Sequence, residues 1–212
     1  MSRFLLSCLV GCALMMAAAG ARAEPPVILI FGDSLSAGYG LPQGKGWVDL
    51  LEQKLAREKN GARVVNASIS GETSLGGRNR LAAALSQYRP QLVVLELGAN
   101  DALRGQSLPT LRENLAAMVK QSQAAGAKVL LLGMRIPPNY GQDYTKKFHA
   151  LYADVARQSG AALVPFLFAG FAERREMFQP DGVHPGIEAQ PIMRDNVWAA
   201  LERMPAMRNA KQ

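Results

Sequence analysis

The sequence is poor in cysteine and histidine, and this limits the chemistry open to it. Its 212 residues include two cysteines, Cys8 and Cys12, and two histidines, His149 and His184, which lie far apart. A zinc site of ordinary type needs several cysteine or histidine ligands. We therefore expect no metal site, and nothing in the sequence calls for a cofactor.

Long apolar runs are absent except at the N-terminus, where Arg3 precedes an apolar stretch over residues 4–19 and Ala-Arg-Ala follows at 21–23. This arrangement is typical of a secretory signal. The stretch is shorter than the ~20 residues that span a bilayer, which disfavours a membrane anchor. We predict a cleaved signal over 1–23, export of a bacterial protein to the periplasm or beyond, and a single domain over 24–212 with no cysteine and hence no disulfide.

Lipidation is the alternative fate of the N-terminus. Residues 9–12 (LVGC) resemble a bacterial lipoprotein box, which would leave Cys12 as an acylated first residue. The apolar run continues past Cys12, whereas such a cysteine normally ends it. We therefore place lipidation second.

No strong excess of one charge remains after the signal. Removal of the signal takes away Arg3 and Arg22, and the formal net charge falls from +7 to +5. The basic residues are scattered along predicted helices, which favours an ordinary solvated surface over nucleic-acid binding. Weak contact with an anionic membrane surface stays compatible with this charge, and we expect a monomer.

Short apolar runs rich in β-branched residues alternate with longer segments whose apolar residues recur at helical spacing. This alternation is typical of βαβ units around a parallel sheet. The predicted strands are residues 27–31, 63–66, 92–97, 128–133 and 162–164. We predict a three-layer α/β/α fold with a mostly parallel five-stranded sheet.

Polar, glycine-containing segments follow the first three predicted strands. They are residues 32–34 (GDS), 68–72 (SISGE) and 98–101 (GAND). Ligands of such sheets bind outside the carboxyl ends of the strands. We therefore expect these segments to converge on one edge, which residues 181–185 (DGVHP) would reach from a later loop.

These segments supply the parts of a serine hydrolase. A serine hydroxyl is a poor nucleophile until an imidazole takes its proton, and the imidazole needs a carboxylate to orient it. We predict Ser34 as nucleophile at the start of a short helix, His184 as base and Asp181 as the carboxylate. Taken alone, a serine beside a glycine is more often a turn residue. His149, on an amphipathic helix beside lysines, is interpreted as a surface or boundary residue.

Acyl transfer also needs hydrogen-bond donors for the oxyanion. Gly71 can present a backbone N–H, Asn100 a side-chain amide, and Ser34 its own N–H. Each of Gly71 and Asn100 could instead be an ordinary turn or cap residue.

The blocks at 32–35, 71, 98–101 and 181–185 together resemble those of the GDSL/SGNH hydrolases, in matching order over nearly the whole mature chain. Residues 31–40, 66–71 and 135–141 resemble the secreted thioesterase I (lysophospholipase L1) and arylesterase branch. The resemblance implies a flavodoxin-like fold, an acyl-enzyme on Ser34 and an oxyanion hole from Ser34, Gly71 and Asn100. One departure is Ala99, where close relatives often have glycine.

The resemblance also implies where the substrate lies. The segment 102–107 is expected to move over the acyl chain, and the loop 136–140 to border it. We therefore expect substrate contacts from Ala102, Leu103, Ile136, Pro137 and Tyr140.

Competing motifs fail. Residues 38–46 hint at a phosphate loop, but Lys45 precedes Gly46 rather than serine or threonine, and no G-x-S-x-G elbow occurs.

We predict an exported serine esterase that hydrolyses acyl esters and thioesters, including lysophospholipids and aryl esters. A glycan O-acetyl esterase and a non-catalytic binding module are the alternatives.

Overall fold

Five parallel strands form the centre of the molecule in the order β2-β1-β3-β4-β5. The strands are β1 (Val27–Gly32), β2 (Arg63–Asn66), β3 (Leu92–Glu96), β4 (Lys128–Leu132) and β5 (Ala162–Val164). Each lies within one residue of its predicted bounds. The predicted α/β class and parallel sheet are confirmed.

Helices cover both faces of the sheet. They are α1 (Ser34–Ala37), α2 (Trp47–Arg57), α3 (Ser74–Tyr88), α4 (Ala99–Leu103), α5 (Leu108–Ala124), α6 (Gln142–Ser159) and α7 (Gln190–Leu201). Helix α2 packs against α7, and α5 packs against both α3 and α6. Right-handed crossovers put α2 and α7 on one face of the sheet and α3, α5 and α6 on the opposite face.

The computed structural model describes residues 25–58 and 60–204. The predicted signal segment, Cys12 and the tail after Met204 lie outside these residues. Within them, no helix is both long enough and apolar enough to cross a bilayer.

Burial of the central strands on both faces explains their nearly continuous apolar sequences. All residues of β1 and β3 are buried, as expected for a parallel sheet with helices on both sides. On α2, the apolar residues Trp47, Leu51 and Leu55 recur one turn apart and are at most 1 % exposed. These side chains belong to one apolar cluster that extends across the described residues.

The strand order creates a crevice beside β1. The chain leaves β1 for β2 on one side and later returns to β3 on the other, so the direction of winding reverses at β1. In open parallel sheets ligands bind at such a reversal, outside the carboxyl ends of the strands. The segments that follow β1, β2 and β3 are the polar segments singled out in the sequence.

Candidate active site

Ser34 is the first residue of α1, immediately after β1, and its side chain is partly exposed. Asp33 caps this helix, because its Oδ1 accepts a hydrogen bond from the N–H of Leu35 at 3.0 Å. The turn of chain between β1 and α1 thus presents the serine at the carboxyl edge of the sheet. The unbonded N–H groups at a helix start favour negative charge beside it.

Close packing, and not backbone conformation, explains the glycine at position 32. Its φ is not positive, so the chain does not need glycine there in order to turn. A Cβ on Gly32 would lie 2.6 Å from Oε2 of Glu96 and 2.9 Å from Oγ of Ser36. Glycine is needed because β3 and α1 approach its Cα closely.

His184 and Asp181 reach Ser34 from the loop before α7. Nε2 of His184 lies 2.9 Å from Oγ of Ser34, and Nδ1 lies 2.7 Å from Oδ2 of Asp181. An ionised carboxylate only accepts hydrogen bonds, so Nδ1 carries the hydrogen and Nε2 is left to accept the hydroxyl proton. The three side chains form one hydrogen-bonded line.

Hydrogen bonds keep Asp181 ionised. Partial burial raises the pKa of Asp181, but bonds from the backbone N–H groups of His184 and Val183 and from the His184 ring outweigh it and lower the pKa to about 2. The two backbone bonds measure 3.0 and 2.9 Å. Asp181 therefore remains an acceptor throughout the neutral range.

Two glutamines hold the loop that carries His184. The Nε2 of Gln179 donates to the carbonyl of Tyr39 at 2.9 Å and to that of Pro185 at 3.2 Å. Buried Gln190 donates to the carbonyls of Pro185 and Gly186 and accepts from the N–H of Trp47 at 3.0 Å. The loop is thus bonded both to the segment after Ser34 and to helix α2.

The ring of Tyr39 lies beside the imidazole. The centroids of the Tyr39 and His184 rings are 4.6 Å apart, with a 40° angle between the planes. Tyr39 is 53 % exposed, so it forms an outer wall for the imidazole rather than part of the core.

The three predicted oxyanion donors lie on segments that follow β1, β2 and β3. Gly71 has φ +79°, a conformation that favours glycine, and its N–H donates no hydrogen bond within the described residues. Asn100 lies on α4, and its Nδ2 donates to Oδ2 of Asp33 at 3.0 Å. An amide nitrogen has two hydrogens, so one remains for a ligand.

The predicted substrate contacts divide into two groups. Leu103, Pro137 and Tyr140 have exposed surface, and their contact with substrate stays a prediction. Ala102 is fully buried and Ile136 is 8 % exposed, because both pack into the core below these loops. Ala102 and Ile136 therefore have packing contacts in this structure, and their contact with substrate also stays a prediction.

His149 lies apart from the site. It is partly buried on α6, where its ring nitrogens face Arg135 and the carbonyl of Met134. This is the boundary position expected from its sequence context.

Comparison with known proteins agrees with this geometry. Residues 30–190 match the model of the GDSL-like Lipase/Acylhydrolase family. The chain belongs to this family. Family members similar to it include "Esterase TesA" of Pseudomonas aeruginosa, 50% identical over 181 residues that cover 85% of this chain and 90% of that protein. The "Thioesterase 1/protease 1/lysophospholipase L1" of Escherichia coli K12 is 39% identical over 183 residues, 86% of each chain.

Solved structures of GDSL-like acylhydrolases share the fold. The crystal structure of TesA superposes with a TM-score of 0.81 at 50% identity, covering 83% of this chain and 98% of that one. The psychrotrophic esterase EstA from Pseudoalteromonas, in a form inhibited by monoethylphosphonate, gives 0.80 at 45% identity, with 84% and 97% covered. The predicted membership of the GDSL/SGNH hydrolases and the predicted enzyme class are confirmed.

Several residues that build this GDSL-like site were not identified from the sequence. Asp33 and Glu96 are buried next to Ser34, Tyr39 lies beside His184, and Gln190 braces the loop. One signal was visible for Glu96, since it is a charged residue inside an otherwise apolar strand. Tyr39 and Gln190 carry no comparable signal, because their partners lie far away in the sequence.

Proposed function

We propose that the protein hydrolyses carboxylic acyl esters through an acyl-enzyme on Ser34. The observation that carries this proposal is the hydrogen-bonded line from Ser34 through His184 to Asp181. In acylation, Nε2 of His184 takes the hydroxyl proton while Oγ attacks the ester carbonyl carbon. The proton then passes to the departing alcohol or thiol, and the acyl group stays on Oγ.

Deacylation uses the same groups in reverse order. Nε2 of His184 accepts a proton from water as its oxygen attacks the acyl carbon. The proton returns to Oγ as the C–O bond to Ser34 breaks and the carboxylic acid leaves. Asp181 stabilises the charged imidazole in both halves of the reaction, and its own proton count does not change.

The negative charge that develops on the carbonyl oxygen is assigned to three donors. These are the N–H groups of Ser34 and Gly71 and the free N–H of the Asn100 side chain. Preorganised donors of this kind each contribute on the order of 3 kcal/mol to lowering the barrier. Support comes from the unbonded state of the Gly71 N–H and from the fixed orientation of the Asn100 amide.

The surface around the site favours apolar acyl substrates. The large apolar side chains that are exposed within residues 25–58 and 60–204 all lie on segments that surround or flank the site. They are Tyr39, Ile69, Leu75, Tyr140, Val183 and Ile187. Exposed apolar surface grouped in this way marks a binding site for apolar ligands or membranes. We propose lysophospholipids and other single-chain acyl esters as substrates, with weak contact of this rim to a lipid surface.

Aryl esters and thioesters are included as substrate classes that the site accepts. Relatives carry the names "Arylesterase" (Vibrio mimicus, 41% identical) and "Thioesterase 1/protease 1/lysophospholipase L1". The acyl-enzyme step is the same for an oxygen or sulfur leaving group. Export, proposed from residues 1–23, would separate the enzyme from cytosolic acyl-CoA, and therefore oxygen esters outside the cytosol are the proposed physiological substrates.

Rates on an ester series test this proposal. The mature chain is assayed on esters from acetyl to palmitoyl, with lysophospholipid alongside and Ser34→Ala as the blank. We expect faster hydrolysis of medium or long chains than of acetyl, and loss of activity in Ser34→Ala. A maximum at acetyl with no lipid hydrolysis would overturn the lipid assignment, and a wild-type rate equal to the blank would overturn the esterase mechanism.

The covalent step has a separate test. A reactive alkyl phosphonate is expected to add one phosphonyl group to Ser34, detectable as a mass increase on the peptide that contains it. Ser34→Ala serves as the control and should show no such increase. Labelling at another residue would contradict the assignment of the nucleophile.

A further inference from the structure

Two carboxyl groups are buried together beneath the nucleophile. Asp33 is 1 % exposed and Glu96 is fully buried. Glu96 is the last residue of β3 and pairs in register with Gly32 at the end of β1, so it lies beside the backbone of Asp33. The N–H of Asp33 donates to Oε2 of Glu96 at 3.2 Å.

No cation is hydrogen-bonded to either carboxyl group in the described part of the chain. Asp33 accepts from the N–H of Leu35 and from the Asn100 amide, and Glu96 accepts from the N–H of Asp33 and the hydroxyl of Ser36. All four donors are neutral. Burying two carboxylates without a compensating cation costs far more than burying one carboxylate beside one neutral acid.

The individual oxygen atoms indicate where a proton is held. Both oxygens of Asp33 accept a hydrogen bond, as does Oε2 of Glu96. Oε1 of Glu96 is also buried, and no donor in the described residues faces it. A buried carboxylate oxygen without a donor is costly, whereas a protonated oxygen is itself a donor.

The electrostatic environment also favours a proton on Glu96. Burial raises the pKa of Asp33 to about 6, against hydrogen bonds from Leu35, Glu96 and Asn100 that lower it. Burial and the nearby Asp33 charge raise the pKa of Glu96 well above its usual value. The other titratable groups that interact with the pair are His184, which acts on Asp33, and Tyr152, which lies near both carboxyl groups. Of these only His184 can become positive, and it lies on the Asp33 side.

We propose that Asp33 and Glu96 share one proton at neutral pH, with Glu96 as the neutral acid and Asp33 as the carboxylate. In this arrangement the Asp33 carboxylate is a positioning residue for the oxyanion hole. This inference rests on the proposed esterase function. Asp33 fixes the amide of Asn100 with Oδ2 and the first turn of α1 with Oδ1. Since an amide group is planar, fixing one N–H also fixes the direction of the other.

Asp33→Asn separates this role from helix capping. Asparagine caps a helix as well as aspartate does, so its oxygen can still accept the N–H of Leu35. Its second group is an NH₂, which cannot accept the N–H of Asn100. We expect kcat to fall roughly 10 to 100-fold with little change in KM, because an oxyanion donor loses its orientation. Circular dichroism melting reports whether the variant is folded.

Glu96 is tested by two substitutions of different polarity. Glu96→Leu removes both the proton donor and the acceptor, and kcat is expected to fall about tenfold or more. Glu96→Gln keeps an oxygen that accepts from the Asp33 N–H and the Ser36 hydroxyl, and it carries a neutral N–H donor in place of the acid O–H. We expect it to recover most of the lost kcat, because it mimics the neutral acid.

The proton itself is measured without using activity. A ¹³C NMR titration of the carboxyl carbons of the mature chain should show one protonated carboxylic acid at about pH 7, where ordinary carboxyls are ionised. The signal should be absent in Glu96→Gln. An ionised Glu96 at that pH, or a wild-type kcat in folded Asp33→Asn, would overturn the inference. Failure of the esterase proposal would appear separately, as wild-type hydrolysis equal to that of Ser34→Ala.

Discussion

Asp101 accepts two hydrogen bonds from Ser74, one from its backbone N–H at 2.8 Å and one from its hydroxyl at 2.6 Å. Both residues are buried. Ser74 begins α3 shortly after Gly71, and Asp101 follows Asn100 on α4. This contact therefore joins the two segments that carry proposed oxyanion donors, and Asn114 of α5 extends it by donating to the Ser74 hydroxyl at 3.0 Å.

Removal of the Ser74 hydroxyl should weaken both the fold and the reaction. In Ser74→Ala, Asp101 loses a donor and the buried Asn114 amide loses an acceptor. We expect a loss of about 1–3 kcal/mol in the free energy of unfolding, measured by urea denaturation, with a several-fold fall in kcat. Ser122→Ala is the matched control, because among residues 25–58 and 60–204 its buried hydroxyl bonds only to the carbonyl of Met118 in its own helix. An equal loss in both variants would contradict the special role of Ser74.

A methyl group at Gly32 should disturb the carboxyl pair. The added carbon would lie 2.6 Å from Oε2 of Glu96 and 2.8 Å from its carbonyl oxygen, and the backbone oxygen cannot move away easily. We expect Gly32→Ala to cost roughly 1–3 kcal/mol of stability. Gly46→Ala should cost less, because the nearest atom there is Oδ2 of the Asp49 side chain at 3.2 Å. Thermal melting of the two variants side by side measures the difference.

Replacement of Asp181 by asparagine should leave the fold in place while removing most of the activity. The amide cannot stabilise the charged imidazole, so we expect kcat to fall on the order of 10⁴-fold. Wild-type activity should not be limited by protonation of Asp181 until the pH approaches its pKa of about 2. A kcat–pH profile of both forms, together with circular dichroism, is the measurement. A fall of less than about tenfold would remove Asp181 from the mechanism.

The Tyr39 side chain should contribute to catalysis through the contact of its ring with the His184 imidazole and not through its hydroxyl. Ring contacts of this kind are worth about 0.5–1.5 kcal/mol, so Tyr39→Ala should lower kcat/KM by roughly twofold to tenfold. Tyr39→Phe keeps the ring and serves as the control, with activity close to wild type. Steady-state kinetics on a short soluble ester decide between them, and equal losses would show that the hydroxyl matters instead.

Burial of Asp33 and Glu96 predicts a pH dependence of stability. Both pKa values are raised by folding, so the folded chain binds more protons than the unfolded chain above the ordinary pKa values of 3.8 and 4.5. The free energy of unfolding should therefore decrease as pH rises through the window from about 4 to 6 for Asp33, and further as Glu96 approaches its own raised pKa. Glu96→Gln should flatten the part of the decrease above about pH 6. Urea denaturation at several pH values tests this, and parallel curves for the two proteins would contradict it.

Much of the fold could be predicted from local sequence. The apolar strands were placed within a residue of their bounds, because β-branched runs flanked by glycine leave few alternatives in an α/β pattern. Helix α4 (Ala99–Leu103) was not predicted, since five residues following a glycine show no helical periodicity. Burial of Ala102 and Ile136 was also missed, because it depends on elements that pack over them and not on their neighbours in the chain.

The site shows the same division between chemistry and packing. Ser34, Asp181 and His184 were predicted as catalytic residues from their chemistry, and the structure brings them within hydrogen-bond distance of one another. The pairing of Asp33 with Glu96 was not predicted. Asp33 was treated only as part of a motif and Glu96 only as a strand residue, because a sequence does not show whether a carboxyl group lies beside a cation or beside a second acid.

The amino-acid sequence alone was enough to give the residue types available for catalysis, the order of the strands along the chain, and the absence of cysteine from residues 24–212. Those properties follow from composition and from periodicities a few residues long. Folding in three dimensions was needed to bring Nε2 of His184 to 2.9 Å from Oγ of Ser34 and to bury Asp33 and Glu96 together. Hydrogen bonding and burial depend on distances of a few ångströms between segments that are distant in sequence, and packing of the whole sheet sets those distances.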